Sequence, residues 1–191
     1  ERLERVLVTV GGSDPSDLAG RITEWICKEL ADVTVDVVIG PFFDTAQSVE
    51  RCATQWPGRV RIHRDPQDIR ALMLGADLAI SGGGQTTYEL AACGTPAIAL
   101  CLADNQRESL EAMAKEGTLL VAGEANVSDV WKTLLRQLDA ALSRNRRMEM
   151  SARGRALVDG RGAERLSRAI VEADAAQNAN GRRHAAPQGR P

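Results

Sequence analysis

Two short glycine-rich segments have the residue types and the spacing of a phosphate-binding site. They are Gly11-Gly12-Ser13-Asp14-Pro15 and Gly82-Gly83-Gly84-Gln85-Thr86-Thr87. Each follows a run typical of a strand and precedes a segment of helical spacing, so free backbone N–H groups and the positive end of a helix dipole could receive an anion. Glycine suits such a turn because a Cβ would keep phosphate oxygens away from the amides. A single turn of this kind is more often a tight strand-to-helix connection.

The elements that would position these turns alternate regularly along the chain. Short β-branched runs predict six strands, at residues 6–10, 33–39, 59–62, 77–81, 97–100 and 119–122, with helical spacing between them. Asp14-Pro15 and Asp65-Pro66 are typical helix starts. The strands are almost continuously apolar, which indicates burial on both faces. We therefore expect an α/β fold with a doubly wound parallel six-stranded sheet of the Rossmann-like kind.

This fold would bring the two glycine turns together. In a sheet of order 3-2-1-4-5-6, strands one and four are neighbours, and ligands bind beyond their carboxyl ends. The chain has no G-x-G-x-x-G, and strand two ends in Val38-Ile39-Gly40-Pro41 without a ribose-binding acid, which disfavours a nicotinamide cofactor. It also has no P-loop motif. The prediction is a diphosphate held by amides and hydroxyls, with no cofactor and no metal.

Composition narrows the class of protein further. The 191 residues include 24 basic and 26 acidic side chains, and only six aromatic residues, which argues against a nucleic-acid partner. Apolar runs are too short for a membrane span. The cysteines, Cys27, Cys52, Cys93 and Cys101, form no C-x-x-C pair and are typical of reduced thiols in a cytoplasmic protein.

The carboxyl-terminal third is less specific. Residues 126–142 predict an amphipathic helix, and a final helix is expected near 163–173. Residues 144–168 contain eight arginines, which indicates an anion-facing or partner-facing surface or, more commonly, a solvated helical face. Residues 174–191 have no large apolar anchor and are expected to form a disordered tail. The predicted domain therefore spans 1–173.

Three polar positions have alternative interpretations. Glu89 could accept hydrogen bonds from ribose hydroxyls, or it could fold back on Thr86 in a capping box. Asn105 could be a ligand at the mouth of the crevice or, with Glu108, a helix cap. His63 ends strand three, where a lone histidine is more often a surface residue than a catalyst.

At this point four segments resemble a known family. Residues 6–14 (VLVTVGGSD), 76–89 (ADLAISGGGQTTYE), 90–94 and 102–106 (LADNQ) are similar to the carboxy-terminal half of the nucleotide-sugar hydrolases of the pseudaminic-acid pathway and to SpsG-like proteins. More distantly, the chain resembles the MurG-type GT-B glycosyltransferases. The hydrolases of the pseudaminic-acid pathway cleave UDP from UDP-2,4-diacetamido-2,4,6-trideoxy-β-L-altropyranose. The resemblance therefore implies the UDP-binding domain of a two-domain nucleotide-sugar enzyme of polysaccharide biosynthesis.

The resemblance also implies roles for individual residues. Gly12 and Ser13 would face the diphosphate, and Glu89 matches a ribose-binding carboxylate. Asn105 and Gln106 match positions near the sugar and the distal phosphate. The turn around His63 and Arg64 would meet the uracil through backbone atoms. The second turn would offer amides and hydroxyls to the diphosphate from Gly83, Gly84, Gln85, Thr86 and Thr87.

One departure from the family limits the expected activity. Its Gly-His-x-x-Arg segment, which carries the proposed catalytic base, belongs to an amino-terminal half and does not occur here. We therefore expect that this domain is absent, that the chain holds no catalytic residue, and that it binds UDP or a UDP-sugar with little turnover. A glycosyltransferase, in which an acceptor hydroxyl replaces water, is the near alternative. A noncatalytic nucleotide-binding or partner-docking module is the alternative of another class.

Overall fold

The computed structural model describes residues 2–184, and the core of this part is a six-stranded parallel sheet. Its strands are β1 (Arg5–Thr9), β2 (Thr34–Ile39), β3 (Val60–Arg64), β4 (Leu78–Gly82), β5 (Ala97–Cys101) and β6 (Leu119–Glu124). They lie in the order β3-β2-β1-β4-β5-β6, and every neighbouring pair is parallel. The predicted fold class and strand order are confirmed, and the strand ends differ from the prediction by one or two residues.

Helices cover both faces of the sheet. The helices of the described residues are α1 (Leu18–Glu29), α2 (Gln47–Gln55), α3 (Ile69–Leu74), α4 (Thr86–Cys93), α5 (Arg107–Lys115), α6 (Val130–Leu142), α7 (Arg144–Leu157) and α8 (Gly162–His184), of which α8 lies outside the part that contains the sheet. Side chains of α1, α2 and α6 pack with Val6 and Val8 on one face, and those of α3, α4 and α5 pack with Leu7 on the other. Successive residues of β1 are therefore all buried, which explains why the strands read as continuous apolar runs.

Two aspartates start helices as acceptors, although the helices begin later than predicted. The Asp14 carboxylate accepts hydrogen bonds from the amides of Leu18 and Ala19, at 2.8 Å each, so α1 begins at Leu18. The residues between Asp14 and Leu18 form a turn. At α3 the capping residue is Asp68, which accepts from the amide of Ala71 at 3.0 Å. The prediction that Asp65 caps this helix is wrong.

The carboxyl end of α6 is held by an arginine of the next helix. Arg147 is buried, and its guanidinium donates hydrogen bonds to the carbonyls of Ala141 at 2.8 Å and Leu142 at 2.9 Å. Carbonyls at a helix end lack partners within their own helix and carry partial negative charge. Arg147 supplies both the missing donors and a positive charge. It therefore stabilises the end of α6 and is not part of a solvated surface.

Two further arginines of α7 lie at the ends of α5 and α4. Arg153 donates to the carbonyl of Glu116 at 3.2 Å, and the Arg155 guanidinium lies over Gly94. Gly94 has the left-handed conformation that is common at a helix end, with φ +70°, whereas Gly75 at the end of α3 does not, with φ −85°. Part of the arginine-rich segment thus stabilises helix termini within the chain up to Val158.

The chain divides into two compact units, one up to Val158 and one from Asp159 onward. In the second unit Arg165 and the amide of Arg161 bind Asp159 and lower the pKa of its carboxyl to about 2. Helix α8 continues to His184, so the predicted boundary at residue 173 falls inside a helix, and residues 174–184 of the predicted disordered tail are helical. Residues 185–191 of that tail lie outside the described part. No helix within 2–184 combines the length and the apolar character needed to cross a membrane.

We expect Arg147→Ala to lower the free energy of unfolding by about 1.5–3 kcal/mol, because two carbonyls at the end of α6 lose a charged donor. Urea denaturation followed by tryptophan fluorescence would measure this. The matched control is Arg136→Ala on the exposed surface of α6, which should change stability by less than about 0.5 kcal/mol. Equal stability of the two variants would contradict the capping role of Arg147.

Candidate functional site

The two glycine turns lie side by side at the carboxyl edge of the sheet. Strands β1 and β4 pair directly, with Thr9 opposite Ser81, and each strand runs into its glycine turn. A Cβ placed on Gly82 would lie 2.8 Å from the carbonyl oxygen of Val10, so the two backbone segments touch where the turns begin. This arrangement confirms the predicted neighbourhood of the turns at the switch point of the strand order.

The two turns differ in which amides remain available. In the first, the Asp14 carboxylate already occupies the amides of Leu18 and Ala19, so the start of α1 faces a carboxylate and cannot also receive a phosphate. Gly12 and Ser13 are exposed, and no described residue accepts from their amides. The first turn can therefore contribute these two N–H groups but not the helix terminus that the sequence predicted.

The second turn leaves the start of α4 open. Its cap residue Gln85 makes no side-chain capping bond, and within the described chain nothing accepts from the amides of Gly84, Gln85 and Thr86. The amide of Gly83 is already used, donating to the carbonyl of Leu100 at 2.8 Å. Three adjacent N–H groups at the positive end of a helix dipole form a suitable anion site.

Two predicted hydroxyl donors of this turn have different surroundings. Thr87 is buried, and its hydroxyl donates to the carbonyl of Gly84 at 2.8 Å. The resemblance implied that Thr87 would donate to the diphosphate. Its hydroxyl instead holds the turn in shape and cannot also donate to a ligand. The Thr86 hydroxyl is half-buried and makes no hydrogen bond within residues 2–184, so it remains a candidate donor.

Glu89 is exposed on α4 and does not form the capping box that was one of its two interpretations. That motif requires Thr86 as the cap residue, but Thr86 is the first residue of the helix and Gln85 precedes it. No hydrogen bond within the described residues joins Glu89 to the Thr86 amide. The carboxylate is thus available to a ligand at the start of α4.

Gln106 lies beside the second turn. It ends a short 3-10 turn, Asp104–Gln106, after β5, and its side-chain oxygen accepts from the amide of Leu102 at 2.9 Å. A Cβ on Gly84 would lie 3.7 Å from its Nε2, so the amide nitrogen faces the turn. Asn105 is exposed in the same 3-10 turn, and α5 starts with no side-chain cap. The helix-cap alternative for Asn105 is therefore wrong.

The resemblance implied a turn around His63 and Arg64. Both residues instead belong to β3, and the turn follows them. The Nε2 atom of His63 lies 2.6 Å from Oδ1 of Asp36 on the neighbouring strand, and Arg64 pairs with Glu50 of α2. The turn itself starts at Asp65, whose amide donates to the carbonyl of Ile39 at 2.9 Å. Both predicted side chains are engaged with carboxylates of their own chain.

Asp36 connects three strands. Its buried carboxylate accepts from Nε of Arg5 at 2.5 Å as well as pairing with His63. Burial works to raise the pKa of Asp36, but the hydrogen bonds and charges of Arg5 and His63 outweigh it, so the pKa lies below its usual value. The contact with Asp36 correspondingly raises the pKa of Arg5. No local sequence pattern indicates this cluster, because its members are far apart in the chain.

The loop after β2 adds a constraint that sequence reasoning missed. A Cβ on Gly40 would lie 2.5 Å from the carbonyl oxygen of Gly12 and 2.6 Å from that of Gly11, so only glycine allows the two loops to approach. The amide of Phe42 then donates to the carbonyl of Gly12 at 2.9 Å. The first turn is therefore held by the end of β2. The visible signal was Gly40-Pro41 at the end of a strand, a pattern that also occurs in ordinary turns.

Comparison with known proteins begins at the sequence level. No protein-family model matches the chain. The spore coat polysaccharide biosynthesis protein SpsG of Bacillus subtilis strain 168 is 29% identical over 166 residues, which cover 85% of this chain and 48% of SpsG. The chain spans less than half the length of the curated relatives that it matches.

Solved structures share the fold. MurG of Acinetobacter baumannii superposes with a TM-score of 0.65 at 20% identity, over 90% of this chain and 50% of MurG. The spinosyn rhamnosyltransferase SpnG, solved with thymidine diphosphate, gives 0.62 at 17% identity, over 83% of this chain and 41% of SpnG. The domain thus has the Rossmann-like fold of GT-B glycosyltransferases. The similarity to SpsG agrees with the resemblance to SpsG-like proteins, whereas the assignment to the pseudaminic-pathway hydrolases stays a prediction.

We expect Asp36→Asn to destabilise the domain by on the order of 2 kcal/mol at neutral pH, because Arg5 and His63 lose their anionic partner but remain partly open to water. The pKa of Asp36 is lowered in the folded state, so its stabilisation is present above the unfolded value of about 3.9 and disappears as the pH falls through the folded value. The difference between wild type and variant should therefore shrink below about pH 4.

Urea denaturation between pH 7 and pH 3 would measure that difference. Asp139→Asn, at an exposed position of α6, is the control for loss of one negative charge. A difference between wild type and Asp36→Asn that stays constant over this range would contradict an ionised Asp36 in the folded protein.

Proposed function

We propose that this chain is the nucleotide-binding half of a UDP-sugar-dependent GT-B glycosyltransferase. The observation that carries the proposal is the group of three unoccupied amides, of Gly84, Gln85 and Thr86, at the start of α4. They lie at the carboxyl edge of the sheet beside the first glycine turn. Such a group binds a diphosphate through N–H donors and the helix dipole, without a lysine or a bound metal.

The diphosphate would lie mainly on the second turn. Gly84, Gln85 and Thr86 would donate their amides to it, and Gly12 and Ser13 would add two more from the first turn. Donors that are fixed before the reaction stabilise negative charge as it develops on a leaving group. The departing UDP is that group when the bond to the sugar breaks, so the start of α4 would favour the transition state over the bound substrate.

The remaining parts of the ligand would meet the other candidate residues. Glu89 would accept hydrogen bonds from the two ribose hydroxyls, since its carboxylate is exposed and uncommitted. The Gln106 amide, which faces Gly84, and the exposed Asn105 would contact the sugar and the distal phosphate. The uracil would meet the backbone of the turn that starts at Asp65, beyond His63 and Arg64.

Transfer to an acceptor fits the relatives better than hydrolysis. SpsG is named for spore coat polysaccharide biosynthesis, and SpnG, which shares the fold, is named as a rhamnosyltransferase, so both names favour transfer of a sugar. The relatives are about twice as long as this chain or longer. A second half would hold the acceptor and the base that activates its hydroxyl, and the chain by itself would bind nucleotide with little turnover.

Calorimetric titration tests the proposal directly. The folded chain should bind UDP more tightly than UMP and should not bind NAD, because the amide group recognises a diphosphate and no dinucleotide motif is present. Glu89→Ala should weaken UDP by about tenfold or more, since a carboxylate contributes roughly 1.5–3 kcal/mol per hydrogen bond. Its melting temperature should stay unchanged, because the side chain of Glu89 makes no hydrogen bond and no ion pair within the described residues.

Glu29→Ala, at an exposed position near the end of α1, is the control for removal of one carboxylate. A folded chain that binds neither UDP nor UMP would contradict nucleotide binding and favour a partner-docking module. A sharp fall in the melting temperature of Glu89→Ala with unchanged affinity would assign Glu89 to the fold.

A further inference from the structure

One aromatic side chain lies at the site without a structural partner that would explain it. Phe42 follows β2, is 75% exposed, and its ring carbon Cδ2 would be 3.5 Å from a Cβ on Gly12. The next residue, Phe43, packs against the core, and the chain contains only these two phenylalanines. The exposed ring therefore lies directly beside the first glycine turn, while its neighbour anchors the loop.

Hydrogen bonds place Phe42 between two parts of the proposed ligand site. Its amide donates to the carbonyl of Gly12 in the first glycine turn, at 2.9 Å. On the other side, the carbonyl of Ile39 accepts from the amide of Asp65, where the turn after β3 begins, also at 2.9 Å. The segment that carries the ring is thus bonded to the turn proposed for the diphosphate and to the turn proposed for the base.

The backbone that carries the ring has little freedom to move away from this position. Gly40 is packed against the backbone of Gly11 and Gly12, with no room for even a Cβ, so the two loops shift only together. A single exposed apolar side chain is common on protein surfaces. A ring whose backbone is held beside an anion site offers a flat apolar surface without reordering of the loop, and planar rings stack well on such surfaces.

We propose that Phe42 stacks on the base of the bound nucleoside diphosphate and so selects for an aromatic base at this site. The inference depends on the proposed nucleotide-binding function. Contact with the sugar, or with another part of a longer protein, would place the same ring beside the same turn, and the experiment below distinguishes these cases.

The experiment compares two ligands that differ only in the aromaticity of the base, UDP and 5,6-dihydro-UDP. Wild type should bind UDP more tightly, since only the planar ring stacks fully. Phe42→Ala should weaken UDP by about 5- to 100-fold, the range seen when a stacking side chain is removed, and should weaken dihydro-UDP much less. Leu74→Ala, at an exposed apolar position of α3, is the control and should change neither affinity.

A spectroscopic readout separates stacking from simple apolar contact. The uracil H5 and H6 resonances should move upfield when UDP binds wild type, because they enter the shielding region of the ring. Phe42→Leu keeps an apolar side chain but should lose most of this shift. Thermal melts of all variants should match wild type, since the ring is mostly exposed.

Three results would overturn the inference. The first is wild-type affinity of Phe42→Ala for UDP, the second is an equal loss of affinity of this variant for UDP and dihydro-UDP, and the third is persistence of the upfield shift in Phe42→Leu. The second of these would assign the ring to the ribose, diphosphate or sugar. If wild type, Phe42→Ala and Leu74→Ala all fail to bind UDP, the proposed function itself is wrong.

Discussion

The structure depends on how backbone amides at the carboxyl edge of the sheet are satisfied. A helix start leaves several N–H groups without partners in its own helix, and a side chain, water or ligand must receive them. At α1 the Asp14 carboxylate receives two of them, whereas at α4 three adjacent amides have no acceptor within the described residues. Two turns that look alike in sequence therefore have opposite electrostatic roles, and only the second offers a full helix terminus to an anion.

Close approaches of backbone to backbone keep this edge in place. Gly40 meets the carbonyls of Gly11 and Gly12, and Gly82 meets the carbonyl of Val10. Gly83 lies against Leu110 of α5 and donates its amide to Leu100, so its glycine character serves packing between α5 and the turn. The loops after β1, β2 and β4 thus form one rigid surface, which suits donors that must be fixed before charge develops.

The sequence was sufficient for the fold because the signals were local and repeated. Continuous apolar runs and helical spacing act within a few residues, and the strand order followed from the general rules of doubly wound sheets. The Asp-Pro pairs located the helix starts only approximately, because α1 begins at Leu18 and Asp68 caps α3. The site was predicted only in part. Glu89 could not be assigned from spacing, since one residue of shift in the helix start decides whether a capping box forms.

Contacts between distant segments account for the errors. His63 pairs with Asp36 across strands, and Asp36 also binds Arg5, so three residues with no shared local pattern form one cluster. The Thr87 error has a local cause instead, because its hydroxyl donates to the Gly84 carbonyl three residues earlier in the turn. The arginine-rich α7 appeared to be a surface feature, yet Arg147 and Arg153 bond to the ends of α6 and α5.

The proposed diphosphate site is electrostatically incomplete, and this limits its chemistry. Neither glycine turn contains a lysine or an arginine, and Arg64 and Arg107 at nearby element ends are paired with Glu50 and Glu124. The helix dipole of α4 supplies only about half a positive charge. Amides and a dipole are enough to bind and orient a diphosphate, but a leaving group that gains charge needs further stabilisation, and an acceptor needs a base. On the proposed function, a second half of the enzyme would supply the base, and the further stabilisation of the leaving group would come from outside the two glycine turns.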